Sequence, residues 1–585
     1  MRVIATAGHV DHGKSTLVRA LTGIEPDRWA QERARGLTID LGYAWTTLGD
    51  GAEVAFVDVP GHERFIANML AGVGPAPGVL FVVAADEGWR RQSTEHLAAI
   101  RALGIEHGVV AVTRSDLADP AAAIAQGRER LPGWEVVPCS GVTGTGLPEL
   151  RAALGRLCAT LPTAATAGRV RLWVDRVFTM RGTGTVATGT LGSGRLAVGD
   201  TLRVVGASGE RPVTIRALQR LGTPADSVDA VARVAVNLRG VSVDELARGD
   251  ALLTGSWHLT TTADVRLDAD ADDLPAHLVA HVGTAALGVR VRPLGGRIAR
   301  LAWDRALPVG VGDRLVLRDP GRHAIVSGAV ILDADPPALT RRGDARRRAE
   351  ALADAPATLD VATEVARRGW TTVAHLAGLG ASEDDLTGAI GGVLVDPARW
   401  ASWAAHLREI AERASASDPL QGRVSAATVA AELGLPRLEL VAPLAHAAGL
   451  VIMDGWVHLP GVRADLGDAE AGMAAIEARL AEHPFAAPER DDLLAAGIGP
   501  KHVAAAVRLG RVLDLGEQVL VAPSAPAHAM RALAALPQPF TTSQARLALD
   551  STRRVVIPLL TELDRRGWTR RVDHAHREVV RGGGR

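Results

Sequence analysis

Residues 3–21 read VIATAGHVDHGKSTLVRAL, and this stretch decides the fold of the N-terminal part of the chain. The first five residues form an apolar run that suits a buried strand, residues 8–15 form a loop, and residues 16–21 suit a helix. The loop matches G-x-x-x-x-G-K-[ST], in which backbone N–H groups turn inward around phosphates at a helix N-terminus. In this pattern Lys14 reaches the outer phosphates and Ser15 binds magnesium. The stretch therefore predicts a phosphate-binding loop.

Lysine is rare enough in this chain for its position to carry information. Of 65 basic residues only Lys14 and Lys501 are lysines. His9 and His12 admit a second interpretation of the loop, as a pair of zinc ligands. They lie within the loop that the phosphates use, and no further His or Cys cluster nearby completes a site. The sequence therefore favours phosphate over metal here.

Composition limits the class of protein. The chain has 585 residues, which corresponds to about four domains, and 47% hydrophobic with 22% charged residues is typical of a folded chain. The two cysteines, Cys139 and Cys158, exclude a disulfide framework and a four-Cys zinc site. Because apolar runs stay below about 18 residues and the start shows no signal-peptide core, we expect a cytoplasmic protein that does not bind membranes. The net charge of −1 leaves nucleic acid open, since local clusters of basic residues decide phosphate contacts.

Three further apolar runs also end in polar loops. Residues 54–57 lead into Asp58-Val59-Pro60-Gly61-His62, where Asp58 can hold magnesium through water and the Gly61 N–H can face a terminal phosphate. Residues 109–112 lead into TRSD at 113–116, and residues 136–139 lead into Ser140 and Gly141. A common turn could supply D-x-P-G alone, but here it follows a phosphate loop by about fifty residues. Four such strands predict an α/β doubly wound sheet with its ligand at the strand C-termini.

These residues resemble the translational GTPases, whose pattern is G-H-V-D-H-G-K-[ST], R-G-[ILV]-T, D-x-P-G-H, [NT]-K-x-D and S-A. The chain matches at residues 8–15, at 35–38 (RGLT) and at 58–62. It departs at Arg114, where the family has lysine, and at Thr113, where most members have asparagine. Gly141 also replaces an alanine. The resemblance implies GTP and GDP as ligands, Mg²⁺ as cofactor, and guanine stacking on the stem of Arg114.

The resemblance also implies the roles of individual residues. Thr38 would join Ser15 and Asp58 around magnesium when the third phosphate is present, and Asp116 would accept from guanine N1 and N2. His62 would orient the attacking water, beside Gly61 and between the hydrophobic pair Val10 and Leu37; a plain surface-loop histidine is the alternative. The nucleotide-binding residues would be Gly8, Val10, Asp11, His12, Gly13, Lys14, Ser15, Thr16, Thr113, Arg114, Asp116, Ser140 and Gly141.

The middle of the chain, from about residue 169 to residue 335, consists of short β-type runs punctuated by glycine, which predict two small β-barrels. Residues 171–190, RLWVDRVFTMRGTGTVATGT, resemble the selenocysteine-specific elongation factors. In that family the positions of Asp175, Arg176 and Arg233 are implicated in holding the aminoacyl group. Guanidinium groups would favour an ionised selenol over the neutral side chains of serine and cysteine. The alternative is that both arginines are ordinary residues of a barrel surface.

The last third repeats a helical unit that ends in a glycine-led β pattern. The glycines are Gly392, Gly449, Gly510 and Gly567, at intervals of 57, 61 and 57 residues. This period predicts an all-α/α+β array of four winged helices, which the selenocysteine factors also carry. The predicted multidomain chain comprises a P-loop GTPase domain at 1–166, barrels at 167–257 and 258–338, and winged helices at 345–408, 409–466, 467–525 and 526–585.

The final repeat is strongly basic, with eleven arginines against five acidic residues in residues 526–585. Arg553 and Arg554 at a helix start can reach bases or backbone of a nucleic acid, and Arg570 and Arg571 would lie on the wing. Arg546 completes this candidate surface. Winged helices bind DNA and proteins as well as RNA, so the fold alone leaves the partner open. The resemblance implies an mRNA hairpin.

Together these features predict a monomeric GTPase that carries selenocysteinyl-tRNA to the ribosome and is recruited by an mRNA hairpin. A DNA-binding regulator with a nucleotide switch is the alternative from another class, supported by the winged helices alone. A general elongation or initiation factor is a nearer alternative, but it would lack the repeat array.

Overall fold

The structure is a computed structural model that describes residues 1–26, 38, 40–49, 51–163, 165–180, 184–417, 422–460 and 466–580. The chain divides into two compact units. The first contains residues 1–364 and 371–387, and the second contains residues 365–370 and 388–585. Leu37, with the rest of the RGLT motif before Thr38, lies outside the described residues.

A six-stranded sheet forms the N-terminal domain, in the order β2-β3-β1-β4-β5-β6. All neighbouring strands are parallel except β2, which is antiparallel to β3. Hydrophobic cores cover both faces of the sheet, which explains the continuous apolar runs. The strands are β1 (Arg2–Gly8), β2 (Gly42–Thr47), β3 (Glu53–Asp58), β4 (Gly78–Ala84), β5 (Gly108–Thr113) and β6 (Glu135–Pro138). The helices are α1 (Lys14–Thr22), α2 (Ile66–Val73), α3 (Arg91–Ala102), α4 (Ala121–Arg130) and α5 (Leu147–Thr160).

The register of this sheet brings the predicted loops to one edge. Gly8 at the end of β1 pairs with Val82, Val82 pairs with Ala111, and Ala111 pairs with Val137. Because parallel strands end at the same edge, the loops after β1, β3, β5 and β6 lie side by side. The predicted doubly wound sheet is confirmed, and it also contains β2 and β4, which the motifs did not indicate.

An antiparallel sheet encloses the core of the first predicted barrel. Its strand order is β7-β16-β11-β12-β15-β9-β8, with β13 paired to β12, and the pair β10-β14 covers the same core. The strands are β7 (Arg171–Trp173), β8 (Arg176–Met180), β9 (Gly184–Leu191), β10 (Arg195–Ala197), β11 (Thr201–Gly206), β12 (Gly209–Arg220), β13 (Thr223–Ala225), β14 (Ser227–Asp229), β15 (Ala232–Arg239) and β16 (Ala251–Leu253).

The second predicted barrel is a closed six-stranded ring in the order β17-β20-β19-β18-β21-β22. Alternate side chains fill its interior, as expected for a small barrel. The strands are β17 (Thr260–Leu267), β18 (His277–Val282), β19 (Ala285–Gly295), β20 (Ile298–Leu307), β21 (Arg314–Asp319) and β22 (Ala324–Asp333).

The C-terminal region is mainly helical and contains short strands. Its helices are α6 (Asp344–Leu352), α7 (Val361–Arg368), α8 (Val373–Leu379), α9 (Pro397–Ser417), α10 (Ala426–Leu433), α11 (Val441–Ala447), α12 (Glu470–Glu482), α13 (Arg490–Ala495), α14 (Pro500–Arg508), α15 (Ala525–Ala534), α16 (Thr542–Ala548) and α17 (Arg553–Arg565). Its strands are β23 (Trp370–Thr372), β24 (Val393–Val395), β25 (Arg423–Ser425), β26 (Val451–Met453), β27 (Trp456–His458), β28 (Leu513–Asp514), β29 (Leu520–Val521), β30 (Phe540–Thr541), β31 (Thr569–Arg571) and β32 (His576–Val579).

The four periodic glycines share one backbone conformation. Gly392, Gly449, Gly510 and Gly567 have φ of 74°, 70°, 66° and 72°, and each lies within three residues of the start of a short strand. A positive φ is readily adopted by glycine, so this conformation explains why the sequence repeats that residue. In the last repeat α15, α16 and α17 precede the hairpin β31-β32, and the sheet order is β30-β32-β31. The predicted winged-helix character of the C-terminal region is confirmed.

In the part of the chain that the structure describes, every helix is too short or too polar to cross a membrane.

Candidate functional site

The loops at the edge of the N-terminal sheet line one pocket of about 660 Å³. The pocket brings together most of the predicted nucleotide-binding residues, although they come from three separate loops. Those that line it are Val10, Asp11, Gly13, Lys14, Ser15, Thr16, Thr113, Arg114, Asp116, Ser140 and Gly141. Thr38 and Gly61 line it as well, together with Arg19, Glu25, Leu117 and Val142. Gly8 and His12 lie behind the loop and do not line the pocket.

Helix α3 supports the phosphate loop from behind. The N–H of Val10 donates to Gln92 Oε1 at 3.0 Å, and the N–H of Gly8 donates to His96 Nδ1 at 3.1 Å. An imidazole nitrogen accepts a hydrogen bond only when it is unprotonated. Burial lowers the pKa of His96 to about 3, so the ring is neutral at physiological pH. On the pocket side, Lys14 Nζ donates to the His9 carbonyl at 2.7 Å.

Tertiary structure adds an acidic residue to the pair His9 and His12. Glu87 lies 3.8 Å from His12 Nε2, and the three residues offer ligand atoms within 4.8 Å of one another. The Glu87 carboxylate also accepts from Arg114 at 3.1 Å and lies 3.5 Å from Arg90. Burial, reinforced by His9, lowers the pKa of His12 to about 3. The cluster thus combines two neutral imidazoles with a carboxylate that is paired with arginines.

The three predicted magnesium ligands converge. Ser15 Oγ donates to Asp58 Oδ2 at 2.6 Å and lies 3.0 Å from Thr38 Oγ1. Thr6 orients the carboxylate, because its hydroxyl donates to Asp58 Oδ1 at 2.7 Å and accepts from the Val59 N–H at 3.0 Å. Hard oxygen donors with one carboxylate are the ligands that Mg²⁺ prefers. The residues therefore fit this ion.

The loop after β3 touches the phosphate loop through Gly61. A Cβ at this position would lie 2.6 Å from the Val10 nitrogen and 2.5 Å from Lys14 Nζ. Such distances are shorter than any normal contact, so only glycine allows the two loops to meet this closely.

His62 follows Gly61 but points elsewhere. Its Nδ1 accepts from the Arg64 N–H at 3.2 Å, and its ring tilts against Phe65 with centroids 6.1 Å apart. The side chain is half-buried and does not line the pocket. Of the residues predicted around the attacking water, Val10 and Gly61 line the pocket, His62 does not, and Leu37 lies outside the described residues.

At the base end of the pocket, Arg114 is held by three acceptors. Its guanidinium donates to Asp86 Oδ2 at 2.8 Å, to Glu87 Oε1 at 3.1 Å and to the carbonyl of Asp11. Burial would lower the pKa of Arg114, but the carboxylates outweigh it and raise the pKa overall. The guanidinium is thus anchored by Asp86, Glu87 and the Asp11 carbonyl, and Arg114 lines the pocket.

The remaining base-end residues shape the rim. Thr113 Oγ1 donates to the His12 carbonyl at 2.7 Å, which ties β5 to the phosphate loop. Asp116 is exposed at the rim, where a base could reach its carboxylate. Ser140 Oγ accepts from the N–H groups of Val142 and Thr143 at 3.2 and 3.1 Å, which orders the turn that contains Gly141.

A second cavity, of about 220 Å³, lies between the N-terminal sheet and the first barrel and is lined by Arg176, Arg233 and Tyr43. The two arginines predicted to hold an aminoacyl group therefore meet in one place. Arg233 pairs with the buried Asp175 through both terminal nitrogens, one of them at 2.7 Å, and its guanidinium carbon lies 3.9 Å from the ring centroid of Tyr43. Arg176 donates to Asp40 Oδ2 at 3.2 Å.

The basic residues of the last repeat have different environments. Arg553 is exposed at the start of α17, whereas Arg554 donates to the Pro488 carbonyl at 2.8 Å and pairs with Glu489. On the wing, Arg570 donates to Glu578 at 2.5 Å. The exposed Arg571 donates to backbone carbonyls of its own hairpin, and Arg546 is half-buried on α16.

Several residues of these sites carry no motif. Gln92 and His96 are four residues apart and lie on one face of α3. Two polar residues on the inner face of an amphipathic helix were the one feature of the sequence that could have indicated their role. Tyr43 is the single tyrosine of the chain. Asp40 and Glu87 have no comparable signal, because tertiary packing alone defines their partners.

Four family models match successive parts of the chain. The model "Elongation factor Tu GTP binding domain" matches residues 1–160, and "Elongation factor Tu domain 2" matches residues 184–253. The model "Selenocysteine-specific elongation factor, beta-barrel domain" matches residues 262–338, and "Elongation factor SelB, winged helix" matches residues 531–577.

Individual proteins agree with these models. Elongation factor Tu 2 of Streptomyces avermitilis is 34% identical over 276 residues, which cover 42% of this chain and 70% of that protein. The selenocysteine-specific elongation factor of Escherichia coli strain K12 is 38% identical over 363 residues, which cover 60% of this chain and 57% of that protein. The chain spans about half the length of the curated selenocysteine-specific relatives that it matches.

The crystal structure of a bacterial selenocysteine-specific elongation factor, EF-Sec, matches with a TM-score of 0.73 and 25% identity over 99% of this chain and 100% of that one. A translational GTPase combines a phosphate loop and a set of converging oxygen ligands with two β domains that follow along the chain, and this chain has all of them. The C-terminal winged helix and the second barrel narrow the class further. The chain belongs to the translational GTPases and is of the SelB type, that of the selenocysteine-specific elongation factors.

Proposed function

We propose that this protein binds selenocysteinyl-tRNA in a GTP-dependent manner and delivers it to the ribosome at recoded UGA codons, guided by an mRNA hairpin. The observation that carries the proposal is the cavity at which Arg176 and Arg233 meet beside Tyr43. A regulator that only binds DNA would have no use for it. The protein would act as a cytoplasmic monomer.

GTP and GDP would occupy the pocket of about 660 Å³. The phosphates would lie on the loop of residues 8–15, and Lys14 would turn from the His9 carbonyl to the outer phosphates. Asp116 would accept from guanine N1 and N2, and the stem of Arg114 would pack on the base. Ser140 and Gly141 would close the pocket beside it.

Ser15, Thr38 and Asp58 would hold Mg²⁺, because their oxygens already converge. When bound, this ion would neutralise charge on the outer phosphates. Thr6 would hold the orientation of the Asp58 carboxylate, because its hydroxyl donates to Asp58 Oδ1. Thr38 would keep this position only while the third phosphate is present.

His62 would position the attacking water once its ring turns from Phe65 toward the phosphates, a change that ribosome binding would favour. Gly61 would present its N–H to the third phosphate, and Val10 would flank the histidine. His62→Ala should leave the GTP dissociation constant within about twofold and reduce ribosome-stimulated hydrolysis by orders of magnitude, because it removes water positioning and no phosphate contact. An equal loss of GTP binding would contradict this assignment.

The aminoacyl group would enter the cavity of about 220 Å³, where two guanidinium groups favour an anion. A selenol is largely ionised at neutral pH, whereas the hydroxyl of serine is not. The test is ester protection. With a non-hydrolysable GTP analogue the full chain should slow deacylation of selenocysteinyl-tRNA much more than that of seryl-tRNA. Equal protection of both would leave a general tRNA carrier.

The last winged helix would hold most of the affinity for the mRNA hairpin, through Arg546, Arg553, Arg570 and Arg571. The arginine excess of residues 526–585 would neutralise phosphates, so the affinity should fall steeply with salt. Full-length protein should prefer an RNA hairpin to duplex DNA at matched salt. The reverse preference would favour the regulatory alternative. We also propose the domain boundaries 1–166, 167–257, 258–338, 345–408, 409–466, 467–525 and 526–585.

A further inference from the structure

Asp40 joins the N-terminal domain to the first barrel, two residues after Thr38. Arg176 Nη2 donates to Asp40 Oδ2 at 3.2 Å and to the Leu41 carbonyl at 2.8 Å. Arg248 Nη2 donates to the other carboxylate oxygen, Oδ1, at 2.5 Å. One carboxylate from the N-terminal domain therefore bridges two barrel arginines, and one of them lines the cavity of about 220 Å³.

Arg248 extends this bridge in both directions. Its Nε donates to the carbonyl of Asp175 at 2.7 Å, and Asp175 is the carboxylate that pairs with Arg233. Its Nη1 donates to Asn68 Oδ1 at 2.5 Å. Asn68 lies on α2, the helix that begins four residues after His62. Asp40, two residues after Thr38, and Asn68 on α2 thus both contact arginines of the first barrel.

The charges around the cavity nearly cancel. Arg176, Arg233 and Arg248 face Asp40 and Asp175, so three positive charges meet two negative ones. Asp40 accepts hydrogen bonds from Arg176 and Arg248, and Asp175 accepts from Arg233. A monoanionic side chain entering the cavity would find one positive charge left uncompensated.

We propose that Asp40 is a positioning residue that sets the guanidinium of Arg176 for an anionic aminoacyl group and makes this setting depend on Thr38. The inference rests on the proposed function. Two residues span at most about 7 Å of extended chain, so Asp40 must leave Arg176 when Thr38 moves farther than that from the position of Asp40. The nucleotide that holds Thr38 thereby controls the aminoacyl cavity.

The chain provides a matched control. Glu53 on β3 and Arg220 on β12 form another ion pair between the same two domains, with Arg220 Nη2 2.9 Å from Glu53 Oε2. Neither residue lines the cavity or lies next to the magnesium ligands. Glu53→Gln therefore removes an interdomain ion pair and leaves the link between Thr38 and Arg176 intact.

The experiment measures dissociation constants of selenocysteinyl-tRNA for the full chain, with a non-hydrolysable GTP analogue and with GDP. The charge-assisted hydrogen bonds to Asp40 are each worth about a factor of ten or more. Asp40→Ala and Asp40→Asn should weaken binding in the GTP form at least tenfold and leave binding in the GDP form within about threefold. Nucleotide affinity should stay within about twofold. Glu53→Gln should preserve the wild-type ratio between the two forms.

Each outcome decides the inference. An unchanged ratio in the Asp40 variants, with a normal wild-type ratio, overturns it and leaves the proposed function standing. Equal weakening in both forms makes Asp40 a plain domain contact and also overturns it. If Asp40→Ala does not fold, Asp40→Asn and Arg248→Lys carry the test, because both keep side-chain volume and a polar group. A wild-type chain that does not prefer selenocysteinyl-tRNA refutes the proposed function itself.

Discussion

Replacing Arg233 by methionine tests two things: how much the buried ion pair with Asp175 stabilises the barrel, and whether the guanidinium selects the aminoacyl group. The side chains of Arg233 and Asp175 are 11% and 4% exposed. Methionine keeps most of the arginine's apolar volume and removes the guanidinium. The Asp175 carboxylate then retains the Thr188 hydroxyl, which donates to it at 2.7 Å, and loses its countercharge.

The expected cost follows from burial. Breaking a buried ion pair by removing one partner costs about 3–5 kcal/mol, because the remaining charge is left unpaired. Replacing both partners with apolar residues is close to neutral in comparable cases. Arg233→Met should therefore destabilise the barrel by this amount. The double variant Arg233→Met/Asp175→Leu should recover to within about 1–2 kcal/mol of the wild type.

Hydrogen exchange in β9 and β15 provides the assay, since these strands carry Thr188 and Arg233 and pair with each other. A loss of 3–5 kcal/mol corresponds to roughly a hundredfold to a few thousandfold faster exchange when the strands open with the barrel. Both variants should lose the preference for selenocysteinyl-tRNA over seryl-tRNA. Exchange accelerated by less than about tenfold in Arg233→Met, or a double variant as unstable as the single one, would refute this reasoning.

Asp116→Asn should weaken GTP relative to xanthosine triphosphate in competition binding, because the amide can donate to the added carbonyl; an unchanged preference would contradict the base assignment. The pKa of His96 is about 3 in the folded protein and about 6.5 in the unfolded chain. Neutral His96 therefore contributes its full share to the stability of the N-terminal domain above pH 6.5, and this contribution is lost as the pH falls. Between pH 7.5 and 5 the wild-type N-terminal domain should lose about 2 kcal/mol more than His96→Gln in the free energy of opening measured by exchange in β1, and parallel pH profiles would exclude this role for His96. Arg553→Ala should flatten the salt dependence of hairpin binding by roughly one phosphate contact. Arg554→Ala should change this slope little, because Arg554 already pairs with Glu489. If both variants flatten the slope equally, the pair between Arg554 and Glu489 opens when RNA binds.

Local patterns were sufficient for much of the fold. Strands β1, β3, β5 and β6 were predictable because each combines an apolar run with a nucleotide motif at its end. The central strand β4 has the same apolar character but ends in Ala-Asp-Glu, which matches no nucleotide motif. The periodic glycines were also predictive, because a positive φ before a short strand is a local requirement that a single residue meets.

Partnerships between distant side chains were not predictable in the same way. The interpretation of Arg114 as a guanine-stacking residue came from its motif position, but the motif could not show that Asp86 and Glu87 from the loop after β4 anchor its guanidinium. Similarly, Arg554 has the same sequence setting as Arg553, and only packing against Glu489 distinguishes them. Charge pairing depends on which loops meet in space, and short-range spacing does not encode this.

The sequence by itself predicted the phosphate loop, the strands that end in nucleotide motifs and the glycine repeat of the C-terminal region. Each depends on contacts within one turn, one strand or one loop, where spacing along the chain equals spacing in the molecule. The order of the domain types follows from the succession of these local patterns. The tertiary structure alone decided that Asp40 bridges Arg176 to Arg248, that Glu87 reaches His12, and that His96 supports the phosphate loop. These contacts join residues 75 to 208 positions apart, and their energies depend on burial and charge neighbours that exist only in the folded molecule.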